Sequence, residues 1–158
     1  MPIPSDYKEL LKLLNTGKVK YLVVGAYAVT HYTEPRYTKD IDIWIDTSLS
    51  NARKVYQALK KFGAPLDKIT PEDFTNRELI YQIGVAPVRV DIIMNLTGLT
   101  FNRAWKNRTI TSLAGVKTNI IGLKELIKAK AKTRREIDGI DIKNLRYAVK
   151  ETGKKKQS

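Results

Sequence analysis

A mixed α+β domain, with helices covering a β-sheet, is the fold class that this sequence predicts. Three observations predict it. Short β-rich apolar runs alternate with segments of helical periodicity, without internal repeats. Two pairs of strand-like runs are separated by links of only two residues, Ala86-Pro87 and Ala114-Gly115, which suits antiparallel hairpins. The order is helix, strand, helix, strand, helix, then further strands and closing helices, a layout that packs as layers around one core. At 158 residues the chain is long enough for one substantial core and short for two.

Residues Asp6 to Asn15 set Leu10, Leu13 and Leu14 against Lys8, Glu9 and Lys12, as a short amphipathic helix does. Val19 to Val24 reads as a central strand ended by Gly25, and Ala26 to Tyr32 as two turns of helix. A loop holding Pro35 leads into a strand from Asp40 to Asp46. Ser50 to Phe62 carries helical periodicity, with Gly63 as its C-cap. Leu79–Val85 and Val88–Met94 form the first predicted hairpin, Phe101–Lys106 a short helix, and Thr109–Leu113 with Val116–Ile121 the second hairpin. Helices are expected over Leu123–Thr133 and about Ile137–Lys150. Residues 1–150 are thus expected as one domain, and 151–158 as a disordered basic tail.

Composition narrows the chemistry. There are no cysteines, so thiolate metal sites, disulfides and a cysteine nucleophile are excluded. No apolar run approaches the roughly 20 residues of a membrane span, and the N-terminus lacks a secretory layout, so a cytoplasmic location is expected. The net charge is +13, and from Gly122 to Ser158 12 basic residues face 5 acidic ones. Such an excess favours polyanionic partners. Its plainer meaning is a solvated cationic surface.

Against that background the stretch YTKDIDIWID stands out. Residues two apart on a strand share a face, so Asp40 and Asp42 project together while Ile41, Ile43 and Ile45 face the other way. Asp46 would share the acid face but lies where the chain turns, and is expected to take no part. Trp44 shares it too, either to stack on a base or to pack on a helix, with packing the default. A second acid, Asp91, sits inside the apolar run VRVDIIM, where it needs a partner, solvent or a metal. Two readings stand at this point. Asp40 and Asp42 are surface acids on an amphipathic strand and Asp91 pairs with Arg89, or the three converge on a hard cation such as Mg²⁺. YLVVGAYAV shifts the balance. Its Gly25-Ala26 turn opens a helix whose first amides can bind phosphate.

The stretch VVGAYAVTHYTEPRYTKDIDIWID resembles the signature of the polymerase-β-like nucleotidyltransferases: an apolar strand, a glycine turn, two acids one residue apart, and a third acid on a later strand. The spacing of Arg36, Thr38, Asp40 and Asp42 resembles a small bacterial and archaeal subgroup with an R-x-T-x-D-h-D core. APVRVDIIMNLTGLTFNRAW and IIGLKELIKAK resemble it as well, so the likeness spans roughly residues 20 to 145. KAKAKTRREIDGIDIKNL is similar to the Lys, Arg, Asp-x-x-Asp pattern of abortive-infection toxin nucleotidyltransferases.

The resemblance implies transfer of an NMP from an NTP to a hydroxyl with two Mg²⁺ or Mn²⁺ ions. One ion activates the acceptor and the other neutralises the leaving pyrophosphate. It assigns the metals and catalysis to Asp40, Asp42 and Asp91, and nucleotide binding to Gly25, Ala26, Arg36, Thr38 and Lys130. Arg36 could equally pair with one of the acids, and Asp138 and Asp141 could be ordinary helix ion pairs. One departure is Ala26, where the superfamily commonly has Gly or Ser. Charge favours an RNA acceptor, tRNA-like, with an antitoxin or a second copy of the chain as candidate partner. A non-catalytic nucleotide- or nucleic-acid-binding module that retains the fold is the alternative. His31, the only histidine, is expected to pack rather than to ligate.

Overall fold

The computed structural model describes residues 4–33, 40–85 and 88–133, and these form a six-stranded mixed sheet with five α-helices. In chain order the elements are α1 (Ser5–Thr16), β1 (Tyr21–Val24), α2 (Gly25–Tyr32), β2 (Asp40–Ile45), α3 (Leu49–Phe62), β3 (Ile80–Val85), β4 (Val88–Ile93), α4 (Phe101–Lys106), β5 (Thr109–Leu113), β6 (Val116–Ile120) and α5 (Leu123–Thr133). The predicted helices over about 137–150 and the basic tail lie outside the described residues. A single-turn 3₁₀ helix at Pro71–Thr75 has no counterpart in the sequence reading. Its buried Phe74 stacks edge-on with Tyr81.

The sheet order is β3-β4-β2-β1-β6-β5. The two hairpins, β3–β4 and β5–β6, are antiparallel as expected, and they form the two edges of the sheet. The second turns through Ala114 and Gly115, both at positive φ (50° and 84°), which suits the right-handed twist of a tight hairpin. The central pairings are what local pattern leaves open. β2 runs antiparallel to β1 but parallel to β4, and β1 runs parallel to β6.

β2 is therefore an inner strand. Ile41, Ile43 and Ile45 are fully buried, each contributing about 1.5–3 kcal/mol of apolar burial. Trp44 on the opposite face is also buried, packed edge-on against Phe101 with ring centres 5.2 Å apart. Packing, not an open stacking platform, is its role. Among these residues only Asp40 and Asp42, at the start of the strand, keep partial access to solvent. α1 adds Tyr7, Leu10, Leu11 and Leu14 to the same core. α3 ends in Gly63 at φ 92°, the left-handed C-cap that its glycine predicts.

Candidate active site

The antiparallel pairing of β1 and β2 sets Val24 opposite Asp42, so the chain leaves β1 through Gly25 directly beside that acid. Gly25 has φ +67°, and a Cβ built on it would strike the Asp42 carboxylate, its Cγ lying 3.0 Å away. Both the conformation and the space demand glycine. Gly25 and Ala26 then open α2, whose N-terminus has no side-chain cap. Amides of an uncapped first turn are free to meet an anion.

The parallel pairing of β2 and β4 aligns Asp40 with Arg89 and Asp42 with Asp91. Three carboxylates from two strands thus meet beside the Gly25 turn, with one arginine among them. Arg89 Nη2 lies 2.9 Å from Asp40 Oδ2 and 3.1 Å from Asp91 Oδ2. The pairing of Asp91 with Arg89 and the gathering of the acids, set as alternatives above, coexist. The other oxygens, Asp40 Oδ1 and Asp91 Oδ1, are buried and have no hydrogen-bond partner among the described residues.

These acids load the site electrostatically. Asp42 is pushed up to about 7, first by burial, then by the neighbouring Asp91 charge and a hydrogen bond shared with it, and further by Asp40, with Arg89 opposing. Around neutral pH this carboxyl is poised between its two forms. Arg89 is raised above its ordinary value, chiefly by its hydrogen bond to Asp91 and that carboxylate's charge.

The donor set suits a hard divalent cation: carboxylate oxygens, two of them buried and unpartnered. Among the described residues no three His, Asp or Glu side chains are already arranged around one point as a cage. The Arg89 guanidinium bridges Asp40 and Asp91 instead.

Support for the site comes from far along the chain. The Tyr7 hydroxyl on α1 donates to the Arg89 carbonyl (3.0 Å) and accepts from the Arg89 amide (3.1 Å), clamping the backbone from which that guanidinium projects. Burial raises the phenol to about 12, so it stays a donor at any physiological pH. Asp46 is engaged at the turn that follows β2. Its carboxylate accepts from Ser48, and its carbonyl accepts from Asn51, whose side chain also bonds both backbone groups of Lys20. His31 lies edge-on to Tyr32 at 4.8 Å, in keeping with a packing role.

Beside α2 a cavity of about 880 Å³ opens between α4 and α5, with Tyr32 at the end of α2 among its walls. Arg103, Lys124 and Lys128 give it positive charge, and its one acid, Glu125, accepts from the Asn107 amide. β6 hands the chain to this cavity from the site's own end of the sheet, because the Ile121 amide donates to the Val23 carbonyl and Gly122 follows.

Of the residues singled out from sequence, Asp40, Asp42, Asp91, Gly25 and Ala26 come together. Arg36, Thr38, Asp138 and Asp141 lie outside the described residues, and Lys130 is placed only as part of the α5 backbone. Sequence reasoning paired Arg89 with Asp91 but missed its second bond to Asp40, and it missed Tyr7 altogether. The i, i+2 spacing signals the first contact. A partner 82 residues away leaves no local signal.

Comparisons with known proteins agree with this fold. The model of a family described as "Nucleotidyl transferase of unknown function (DUF2204)" matches residues 4–157. No curated protein matches the sequence significantly. Among solved structures, the chain is similar to the lincosamide antibiotic adenylyltransferase LnuA in its lincomycin-bound form (21% identity, TM-score 0.60, 91% of this chain and 96% of that one). It is also similar to the Thermotoga maritima protein TM1012, described as a nucleotidyltransferase (18% identity, TM-score 0.60, 95% and 96%). A third similar structure is the antibiotic-resistance factor ANT(2'')-Ia (12% identity, TM-score 0.62, 96% and 85%). At these identities the likeness is one of fold.

Proposed function

The chain belongs to this nucleotidyl transferase family, and from that premise we propose that it moves an NMP from an NTP to a hydroxyl at the Gly25–Asp42–Asp91 site, with Mg²⁺ or Mn²⁺ as cofactor. The carrying observation is the register that sets Asp42 beside Asp91 on one side and beside the Gly25 turn on the other. Residues 1–150 serve as the catalytic domain and 151–158 as a basic tail.

Asp40, Asp42 and Asp91 hold the divalent cation in this reading, the unpartnered Asp40 Oδ1 and Asp91 Oδ1 being the first oxygens to offer it. When bound, the cation lowers the pKa of the acceptor hydroxyl and neutralises charge on the leaving pyrophosphate. The α2 amides at Gly25 and Ala26 receive the triphosphate, with Arg36, Thr38 and Lys130 as further phosphate contacts. Ala26 offers its amide without a hydroxyl. Asp91 orients the acceptor O–H, whose oxygen attacks the α-phosphorus. The bond to the β-phosphate breaks, pyrophosphate leaves, and the hydroxyl proton passes to a carboxylate or to solvent.

RNA, tRNA-like, is the acceptor that the charge favours: +13 overall, with cations lining the cavity beside α2. A toxin of a toxin–antitoxin pair fits a small transferase of this kind, its antitoxin or a second copy completing the site. The cavity's volume supports a second reading, a small hydroxylated acceptor, because about 880 Å³ lies within the range of small-molecule pockets. A third reading, a binding module without catalysis, draws on the bridged acids around Arg89.

One experiment separates them. The protein is incubated with each α-labelled NTP, Mg²⁺ or Mn²⁺, and total RNA, beside an Asp40→Ala/Asp42→Ala variant. Label entering RNA with the native chain alone is the expected result. Label that stays off RNA but enters a small-molecule extract moves the acceptor to the second reading. Salt-sensitive RNA binding by both forms with no transfer overturns the enzyme reading.

A further inference from the structure

We propose that Arg89 is a built-in counter-ion: its guanidinium bridges the acids in the nucleotide-free protein and gives way to the divalent cation. The proposal rests on the reading above that Asp40, Asp42 and Asp91 receive that cation.

Three observations carry it. First, one nitrogen, Nη2, spans Asp40 Oδ2 at 2.9 Å and Asp91 Oδ2 at 3.1 Å, so the guanidinium draws one oxygen from each acid. The remaining Oδ1 of each acid is buried and unpartnered, although Asp91 as a residue is only 8% exposed. Second, the bridge is a poor permanent ion pair. A structural arginine usually meets a carboxylate through two parallel N–H bonds, whereas here each acid receives one and the buried Nε has no partner among the described residues. Third, only the side chain is free to leave. Tyr7 holds both the amide and the carbonyl of Arg89, while 36% of the side chain is exposed and has a path outward.

The physical logic is that of like charges. Three carboxylates at neighbouring positions of two strands repel one another and need a cation when ionised. In the absence of metal Arg89 supplies it, preventing collapse of the site or full protonation of the acids. A divalent ion brought with the triphosphate carries twice the charge and takes more oxygens. It therefore displaces the single guanidinium, and Arg89 turns toward solvent. The arginine sets a threshold, so metal alone binds weakly and the metal–nucleotide complex binds well.

The test is Mn²⁺ binding by the purified full-length chain, followed through the electron paramagnetic resonance of the free ion, for the native protein, Arg89→Gln and Arg89→Lys. Arg89→Gln is expected to bind Mn²⁺ about tenfold tighter, equivalent to roughly 1.4 kcal/mol. In EDTA it melts lower than the native chain, and Mn²⁺ restores the difference. Arg89→Lys, which keeps a cation there, stays near native. Unchanged or weaker binding in a folded Arg89→Gln protein overturns the proposal, though native binding would leave the metal reading intact. No binding by either protein overturns both. Should the glutamine variant not fold, the native chain still decides. Its Arg89 side-chain resonance, identified by its absence from Arg89→Lys, is expected to shift when Mg²⁺ and a non-hydrolysable NTP are added, and an unmoved resonance overturns the proposal.

Discussion

The Asp42 carboxylate lies against the Cα of Gly25, in the space that any larger residue at position 25 would fill. Two strands and a turn are locked together by that contact. β1 must end where it does, and β2 must pair in the register that sets Asp42 opposite Val24, for the carboxylate to sit over the turn.

Gly25→Ala is accordingly expected to act twice. Holding alanine at φ +67° costs about 1–2 kcal/mol by itself. Its methyl also displaces the Asp42 carboxylate from its place beside the turn. Melting should show the first effect and loss of nucleotidyl transfer the second. Native-like transfer by a folded Gly25→Ala protein would remove Gly25 from the site.

Tyr7→Phe removes a hydroxyl that both donates to and accepts from the Arg89 backbone. Depriving two part-buried backbone groups of that partner costs about 1–3 kcal/mol. Chemical denaturation gives that figure. Because the β4 backbone at Arg89 is loosened, transfer is also expected to fall more than stability alone accounts for. An effect on stability with none on transfer would confine Tyr7 to the core.

Asp42 sets a pH dependence whose sign follows from its shift, from an ordinary 3.8 to about 7 in the folded chain. A raised carboxyl means the folded state holds the proton more tightly than the unfolded one. Its contribution is complete below pH about 4 and is lost as pH rises through about 7. In EDTA the melting temperature should therefore fall between about pH 4 and 7 and level off above, and the slope should flatten in Asp42→Asn. With Mg²⁺ and nucleotide the cation favours the ionised form, and the native slope should flatten as well.

RNA affinity should depend on the cations beside α2. Arg103 and Lys128 line the cavity, whose described walls include none of the three acids. Replacing both by glutamine is expected to weaken RNA binding at low salt. If each meets one phosphate of a single strand, the slope of log affinity against log salt should shrink by about 1.4. An unchanged slope would place the RNA surface elsewhere on this basic chain.

Much of the fold was legible because its signals are local. The leucines of α1, the apolar runs of β1 and β2, Gly63 as a C-cap and the two-residue hairpin links each act within a few residues. The 3₁₀ helix at Pro71–Thr75 went unread although its capping box, Thr70 with Asp73, is local; the burial of Phe74 in the core and its edge-on contact with Tyr81 are not. Strand starts shifted for a similar reason. Lys18 adopts φ 56° and the Lys20 backbone is taken by Asn51, so β1 begins at Tyr21 rather than Val19.

By itself the sequence determined the chemistry at hand: two acids sharing a strand face, a third in an apolar strand, a glycine ending β1, and no thiol anywhere. Period-two alternation and turn chemistry carry that information within a short window. Only the tertiary structure decided that β4 lies parallel to β2 with Asp91 opposite Asp42, that Arg89 bridges two acids, and that Tyr7 holds Arg89 in place. Those relations join residues 49 and 82 positions apart. Which strands become neighbours is settled by burying all faces at once, a condition that no local stretch of sequence expresses.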